Sequence, residues 1–332
     1  MLLLSRSEIA SLMSFADYVQ VVEQGFRRHA EGRSLEPALA HVDADGGEFH
    51  IKAGGLRGDP PYFAVKVNGG FFQNRANLGL PNIQGLILLS RADNGMPLAV
   101  MDSIEITIQR TGAATAVAAK LLARPESRVC TVAGCGTQGK IQLRALKHVL
   151  PIEKVFAWSR TPERAELFAS QMTRELGIGV TPTFDLGQAL RQSDVCVTCT
   201  PSKAPFVRRA DIPSGMFIAA VGSDSPDKQE LDADLVAASI VVADLRIQAV
   251  AVGETHHAIA ARLMRPDQIH AEIGEIILGK SSGPGKSSGR TSPDEIILYD
   301  STGTALQDVA AAAAVYERAC SASKGVQWDP SQ

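Results

Sequence analysis

The spacing of apolar side chains changes rhythm along the chain. Over Asp17–Ala30, Val21, Val22, Gly25 and Phe26 recur at the spacing of an amphipathic helix. From there the period shortens. Residues 38–43, 48–53 and 62–68 read as strands, separated by the turn-forming runs Asp45-Gly46-Gly47 and Gly58-Asp59-Pro60-Pro61. A further hairpin is predicted from Gly85–Ser90 and Pro97–Asp102 around Asp93-Asn94-Gly95. This antiparallel layer differs from the later part of the chain. Ile104–Leu122 reads as a long helix, rich in alanine and free of proline, and leads into alternating strand and helix patterns at 129–133, 138–149, 154–158, 162–176, 186–191, 194–199, 217–221, 232–237 and 240–243. That alternation predicts a doubly wound parallel sheet. Helical stretches at 247–263 and 267–278 end in the low-complexity run Gly279–Gly289, expected to be a solvated loop. A strand at Glu295–Tyr299 and an alanine-rich helix at Ala305–Ala319 close the pattern, the helix expected to pack back on the N-terminal layer.

At the centre of the alternating region stands Val129-Cys130-Thr131-Val132-Ala133-Gly134-Cys135-Gly136-Thr137-Gln138-Gly139. A buried strand runs into a G-x-G-x-x-G turn and then a helix. In that context Gly134 permits the tight turn, Gly136 lets a pyrophosphate approach the backbone, and Gly139 lets helix and strand pack closely. The helix N-terminus supplies free N–H groups and a partial positive charge. The expected fold class is therefore α/β: a Rossmann doubly wound parallel sheet plus a smaller α+β substrate-binding and dimerisation domain. Residues 116–294 are assigned to the NAD(P)-binding domain, and 1–115 together with 295–332 to the other.

Cofactor choice is read at the end of the second parallel strand. An NAD-preferring fold places an acid there for the ribose hydroxyls. Here the strand ends Ala157-Trp158-Ser159-Arg160-Thr161, without an acid and with an arginine to meet a 2′-phosphate. NADP(H) is favoured and NAD(H) remains possible, since Arg160 can instead lie on the adenine.

Bulk properties narrow the partners. A net charge of -3 and a pI near 6.2 argue against nucleic acid and anionic membrane. The apolar start Met1-Leu2-Leu3-Leu4 is too short for a signal peptide, and no run reaches membrane-spanning length, so a cytoplasmic protein is expected. Five cysteines form an odd, sparse set that suits a reducing compartment. Cys196 and Cys199 match C-x-x-C, but residues three apart on a strand point to opposite faces, which makes them core residues. Nor is a metal site expected: neighbouring His256 and His257 diverge on a helix, and no carboxylate or cysteine cluster shows ligand spacing.

Several stretches together carry a resemblance. Tyr62-Phe63-Ala64-Val65-Lys66-Val67, Gly79-Leu80-Pro81-Asn82, Pro97–Asp102, Thr107-Ile108-Gln109-Arg110-Thr111-Gly112-Ala113, the glycine loop, Gly222–Leu231 and Asp300-Ser301-Thr302-Gly303 resemble the ornithine cyclodeaminase/mu-crystallin family, in its order and over nearly the whole chain. That family includes archaeal-type alanine dehydrogenases and ketimine reductases. The resemblance implies a homodimer and nicotinamide chemistry at the carbon–nitrogen bond of a small imino or amino acid.

Read alone, Lys66 is as well an outward-facing lysine, Arg110 a surface arginine and Asp224 a turn cap. The resemblance makes Lys66 and Asp224 catalytic and Arg110 a carboxylate ligand, a role suited to a planar fork of donors. It places Asn82 at the substrate and Thr111, Thr137, Gln138, Ser159, Arg160, Thr161, Thr200, Gly222, Lys228 and Ser301, with Gly134, Gly136 and Gly139, at the cofactor. One departure matters. The family's arginine beside a proline near the first strand is missing from Glu36-Pro37-Ala38-Leu39-Ala40-His41, and the cyclodeaminase glutamate that holds ornithine's amine aligns with His50. Lys52, on the same strand face as His50, offers the missing positive charge. The expected activity is thus an imine reductase or amino-acid dehydrogenase. The alternatives are a cyclodeaminase-like lyase using bound NAD⁺, and a non-catalytic NADPH-binding protein of the mu-crystallin type.

Overall fold

The computed structural model describes residues 1–279 and 289–329, so the predicted loop at Gly279–Gly289 lies, but for its two ends, outside the described residues. The chain divides into unit 1, Met1–Ala113 with Thr304–Gln332, and unit 2, Ala114–Gly303.

Unit 1 contains β1 (Leu2–Leu4), α1 (Arg6–Leu12), α2 (Phe15–Ala30), β2 (Ser34–Ala44), β3 (Gly47–Leu56), β4 (Tyr62–Gly70), α3 (Asn74–Leu78), β5 (Ile83–Arg91), β6 (Pro97–Asp102) and the start of α4 (Ser103–Leu122). Its last elements are α12 (Ala305–Ser321) and β15 (Val326–Gln327). The seven strands form one sheet in the order β15-β1-β6-β5-β4-β3-β2, antiparallel apart from the β1–β6 pair. Alternation sorts its faces. Lys52, Lys66, Ile87 and Met101 are successive cross-strand partners, and all four are buried. The residues between them, Phe49, Val67, Leu86 and Leu88, are exposed on the other face.

On the buried face lies α12, against β3, β4 and α2. Its alanines explain how close it comes. A side chain at Gly54 would stand 2.9 Å from the Ala305 Cβ, and one at Gly25 of α2 would stand 3.1 Å from the Ala310 Cβ. Small residues on both sides bring the first turn of α12 down onto the strands.

Unit 2 takes up the rest of α4 and then β7 (Val129–Ala133), α5 (Thr137–Val149), β8 (Lys154–Trp158), α6 (Pro162–Leu176), β9 (Gly179–Thr183), α7 (Leu186–Leu190), β10 (Val195–Thr198), β11 (Phe217–Ala220), α8 (Ala233–Ala238), β12 (Ile240–Ala243), α9 (Arg246–Val252), α10 (Glu254–Ala260), β13 (Ala271–Glu272), α11 (Ile273–Ile277) and β14 (Ile297–Asp300). Eight parallel strands run in the order β13-β12-β14-β11-β10-β7-β8-β9. Strand order reverses at β7, and the crevice beside that switch point is where this class of sheet binds ligands. The strands β10, β11 and β14 are buried along their whole length, as sheets covered on both faces require.

Some expectations need correction. The strand predicted at Glu295–Tyr299 pairs as β14 between β11 and β12, so it stays with the parallel sheet, and unit 1 resumes at Thr304 rather than at 295. The helix predicted over 247–263 is two helices, α9 and α10, divided at Gly253. A side chain there would meet the Asp300 carboxylate at 2.5 Å, and its absence lets Asp300 accept from the N–H of Glu254 at 3.2 Å and of Thr255 at 2.9 Å. In the stretch 267–278 a 3-10 turn at Pro266–Gln268 and then β13 precede the short α11.

Candidate active site

In unit 2 the expected cofactor residues gather at one edge, because parallel strands deliver their carboxyl ends together. β7 leads to Gly134, Gly136, Thr137, Gln138 and Gly139, β8 to Ser159, Arg160 and Thr161, β10 to Thr200, β11 to Gly222 and Asp224, and β14 to Ser301. The glycine loop fits a dinucleotide. Gly134 has φ +124°, a conformation that favours glycine. A side chain at Gly139 would meet the Gly134 carbonyl at 2.0 Å, whereas one at Gly136 would meet nothing within 4 Å. Two glycines are thus needed by the protein's own packing, and the third leaves open the place where a pyrophosphate must come close. Gly136 is also the N-cap of α5 and brings no capping side chain, so first-turn N–H groups are left for an anion.

Two loops at this edge are tied by one buried acid. Glu230 accepts from the Thr200 N–H and hydroxyl at 2.6 and 2.7 Å through Oε1, and from the Gly222 N–H at 2.9 Å through Oε2. Burial pushes its carboxyl up to about 7 against these donors, which pull it down. Glu254 in turn accepts from the backbone N–H groups of Glu230 and Leu231. Glu230→Ala would leave buried donors unpaired, so it is expected to cost about 2–3 kcal/mol of stability. It is also expected to raise the dinucleotide Kd about tenfold. Urea unfolding and fluorescence titration of the variant check both.

Asp224 is half-exposed and its Oδ1 accepts from the buried Lys228 ammonium at 2.8 Å. Lys228 is expected at the cofactor; what the structure gives its ammonium is this carboxylate. Ser159 Oγ accepts from the Thr161 N–H at 3.2 Å, and Arg160 between them is exposed. Ser301 is buried, with its N–H on the Ala220 carbonyl. His256 and His257 each contact a backbone carbonyl, of Val250 at 3.0 Å and of Lys228 at 2.8 Å. Cys196 is buried in β10, and burial pushes both its thiol and that of Cys199 well up.

Unit 1 assembles the other expected group. The Lys66 Nζ lies 2.7 Å from Asp308 Oδ2, and the Arg110 Nε lies 2.9 Å from Asp308 Oδ1. Arg110 also donates to Gln307 Oε1 at 2.6 Å. Lys52 sits beside Lys66 as its cross-strand partner. All are at least nine-tenths buried. Three cations therefore face one carboxylate in a dry setting, an excess of positive charge that suits a small anion. Arg110 Nε, Gln307 Nε2 and both Asp308 oxygens have no aligned hydrogen bond among the described residues. Burial, reinforced by Arg110 and Lys52, lowers the Lys66 ammonium to about 7 despite the pull of Asp308. Asp308 stays below the usual carboxylate range: burial raises it, and Arg110 and Lys66 outweigh that.

Not every expected residue joins this cluster. Asn82 Oδ1 accepts from the Arg75 N–H at 2.9 Å and its carbonyl from the Phe71 N–H at 2.7 Å, which hold its own loop around α3. The Thr111 hydroxyl donates back to the Thr107 carbonyl within α4. His50 is buried on the strand face of Lys52, and its Nε2 lies 3.0 Å from Glu48 Oε1. Asp308, Gln307 and Glu230 were missed. The available signal was a Gln-Asp pair in an otherwise alanine-rich helix, but an acid in a first helical turn ordinarily reads as a partner of the helix dipole.

The family model for the ornithine cyclodeaminase/mu-crystallin family matches residues 1–323. The chain belongs to that family. Alanine dehydrogenase of Archaeoglobus fulgidus is 36% identical over 325 residues, 98% of this chain and 97% of the relative. Among solved structures, an archaeal alanine dehydrogenase dimer with bound NAD superposes with a TM-score of 0.91 at 36% identity, covering 99% of both chains. The Thermococcus litoralis Δ1-pyrroline-2-carboxylate reductase, solved with NADH and L-proline, gives 0.92 at 32% identity over 99% of this chain and 100% of its own.

Proposed function

We propose that this family member is an NAD(P)H-dependent imine reductase or amino-acid dehydrogenase acting on a small α-imino or α-amino acid. The observation that carries the reading is the buried cluster of Lys52, Lys66, Arg110 and Asp308, an anion site with a lysine lowered to about 7. Arg110 and Lys52 hold the α-carboxylate, Arg110 with two donors in one plane. Lys66 gives the imine nitrogen its proton in reduction and takes it back in oxidation. Asp224, whose carboxylate accepts from the Lys228 ammonium, is the second proton-handling group. A nicotinamide dinucleotide bound on the glycine loop supplies the hydride. Burial of the cluster excludes water and strengthens each charge contact.

Within this reading NADPH is the preferred cofactor, because Arg160 is exposed at the end of β8 with no acid beside it to bind ribose hydroxyls. Arg160→Ala is expected to raise the KM for NADPH about tenfold, the loss of one charge-assisted phosphate contact, and to change that for NADH little. Steady-state kinetics with both cofactors measure it.

The active form is a homodimer. Its support is the sheet face of unit 1 on which Val42, Phe49, Val67, Leu86 and Leu88 are exposed, with Val42 and Phe49 paired across β2 and β3. Contiguous apolar patches of this kind mark association surfaces. No helix among the described residues is long and apolar enough to cross a membrane. The free cysteines suit the reducing cytoplasm in which we place the protein.

The experiment is nicotinamide absorbance on mixing the protein with NADPH or NADH and Δ1-pyrroline-2-carboxylate, with pyruvate plus ammonia or methylamine in parallel. Cofactor oxidation in any mixture is expected. Flat traces throughout, with ammonia released from an amino acid in the presence of NAD⁺, would instead make it a lyase.

A further inference from the structure

The chain read linearly predicts no metal site, since His256 and His257 diverge on a helix and the C-x-x-C of Cys196 and Cys199 falls on a strand. The hairpin of β2 and β3 changes that. His41 and His50 are direct cross-strand partners, and so are Asp43 and Glu48. Because side chains alternate along a strand, all four project on one face, the face of Lys52 and opposite to Val42 and Phe49. The His50 Nε2 lies 3.0 Å from Glu48 Oε1 and the His41 Nε2 lies 3.7 Å from Glu48 Oε2, with one ligand atom of each residue within 4.8 Å of the others. The two imidazole rings stand 4.8 Å apart, edge to face.

We propose that His41, Glu48 and His50 bind a divalent first-row transition ion, with Zn²⁺ the natural occupant. Ligands about 2.0–2.1 Å from a tetrahedral zinc stand roughly 3.3 Å from one another, so small side-chain rotations suffice to close the site. Imidazole with carboxylate is a donor set for such ions, and not for calcium or magnesium, which take oxygen ligands. Asp43, 3.0 Å from the His41 Nε2, is within reach as a fourth ligand. The site is graded in burial: the His50 side chain is 11% exposed, that of Glu48 16% and that of His41 28%. It is therefore anchored at β3 and open to entry at β2, the edge strand. The Nδ1 of His50 is buried with no hydrogen-bond partner among the described residues, so no such contact through that nitrogen commits the ring's orientation, and the ring can turn to the ion. An ion held here ties the turn end of the hairpin two residues from Lys52, and so stiffens the strand that carries one of the cluster's cations. Binding does not depend on the imine chemistry proposed for that pocket.

The test uses full-length protein stripped with chelator and dialysed, titrated calorimetrically with Zn²⁺ and separately with Co²⁺, whose visible bands report tetrahedral nitrogen and oxygen ligation. One ion per chain is expected, with a Kd of about 1 µM or tighter, together with a rise in Tm. His41→Ala, on the exposed edge strand, should fold normally and weaken binding at least about tenfold, and His50→Ala should weaken it further. His256→Ala should leave it unchanged. Binding weaker than about 100 µM in the wild type, or binding that survives His41→Ala undiminished, would overturn the proposal.

Discussion

Lys66→Met is expected to lower kcat/KM for the imino acid by about 10³-fold or more, within the range that a positioned proton donor contributes. Dinucleotide binding should stay within about twofold, because the glycine loop is built in unit 2 without Lys66. Methionine keeps the length of the side chain and removes its charge, so the sheet should hold its packing. The wild-type pH profile carries the same information. Burial, then Arg110 and Lys52, set the Lys66 ammonium at about 7 in the free protein. In reduction the protonated form is the useful one, as proton donor and as part of the carboxylate's surroundings. Hence kcat/KM should be level below this value and fall as pH rises through it. In oxidation the neutral amine is needed, and kcat/KM should rise over the same interval. Profiles in both directions, with fluorescence titration of the cofactor against Lys66→Met, form the measurement. Equal activity of wild type and variant would remove Lys66 from the chemistry.

The second large effect concerns Asp308. It is the one carboxylate within contact of both Lys66 and Arg110 among the described residues, and taking away one member of a buried ion cluster leaves the others uncompensated. Asp308→Ala is expected to destabilise the protein by about 3–5 kcal/mol. A carboxylate ligand restores part of the missing charge, so L-proline should raise the Tm of the variant by more than it raises that of the wild type. Asp308 also pulls the Lys66 ammonium upward, so its removal should move the falling limb of the reductive pH profile to lower pH. Calorimetry with and without L-proline, and the pH profile, separate this from a merely structural loss. An unmoved limb would mean that Asp308 does not act on Lys66.

Legibility in the sequence depends on how local each requirement is. The glycine loop was readable because strand, turn and helix constrain one another within a dozen residues, and the backbone meets those constraints at Gly134 and Gly139. Lys66 and Arg110 became candidates through resemblance, since a lysine between two valines has no pattern of its own. Asp308 lay beyond such reasoning. Its neighbour Gln307 meets Arg110 across 197 positions of chain, and nothing along α12 marks an acid that faces strands. The hairpin cluster was hidden for the same reason: only the register of β2 on β3 sets His41 beside His50. β9 was missed because Pro182 interrupts its pattern, yet β9 is an edge strand, where a proline costs no ladder bond. The boundary near 295 was misplaced because β14 comes after the low-complexity run in sequence but pairs inside the parallel sheet.

The most direct test tracks the transferred hydrogen. The protein would be mixed with reduced dinucleotide carrying deuterium at the transferable position and with Δ1-pyrroline-2-carboxylate, and the product examined by mass spectrometry and NMR. A reductase yields proline deuterated at the α-carbon, in step with formation of oxidised cofactor. Absence of deuterium from the α-carbon, with the reduced cofactor left unconsumed, would contradict the account.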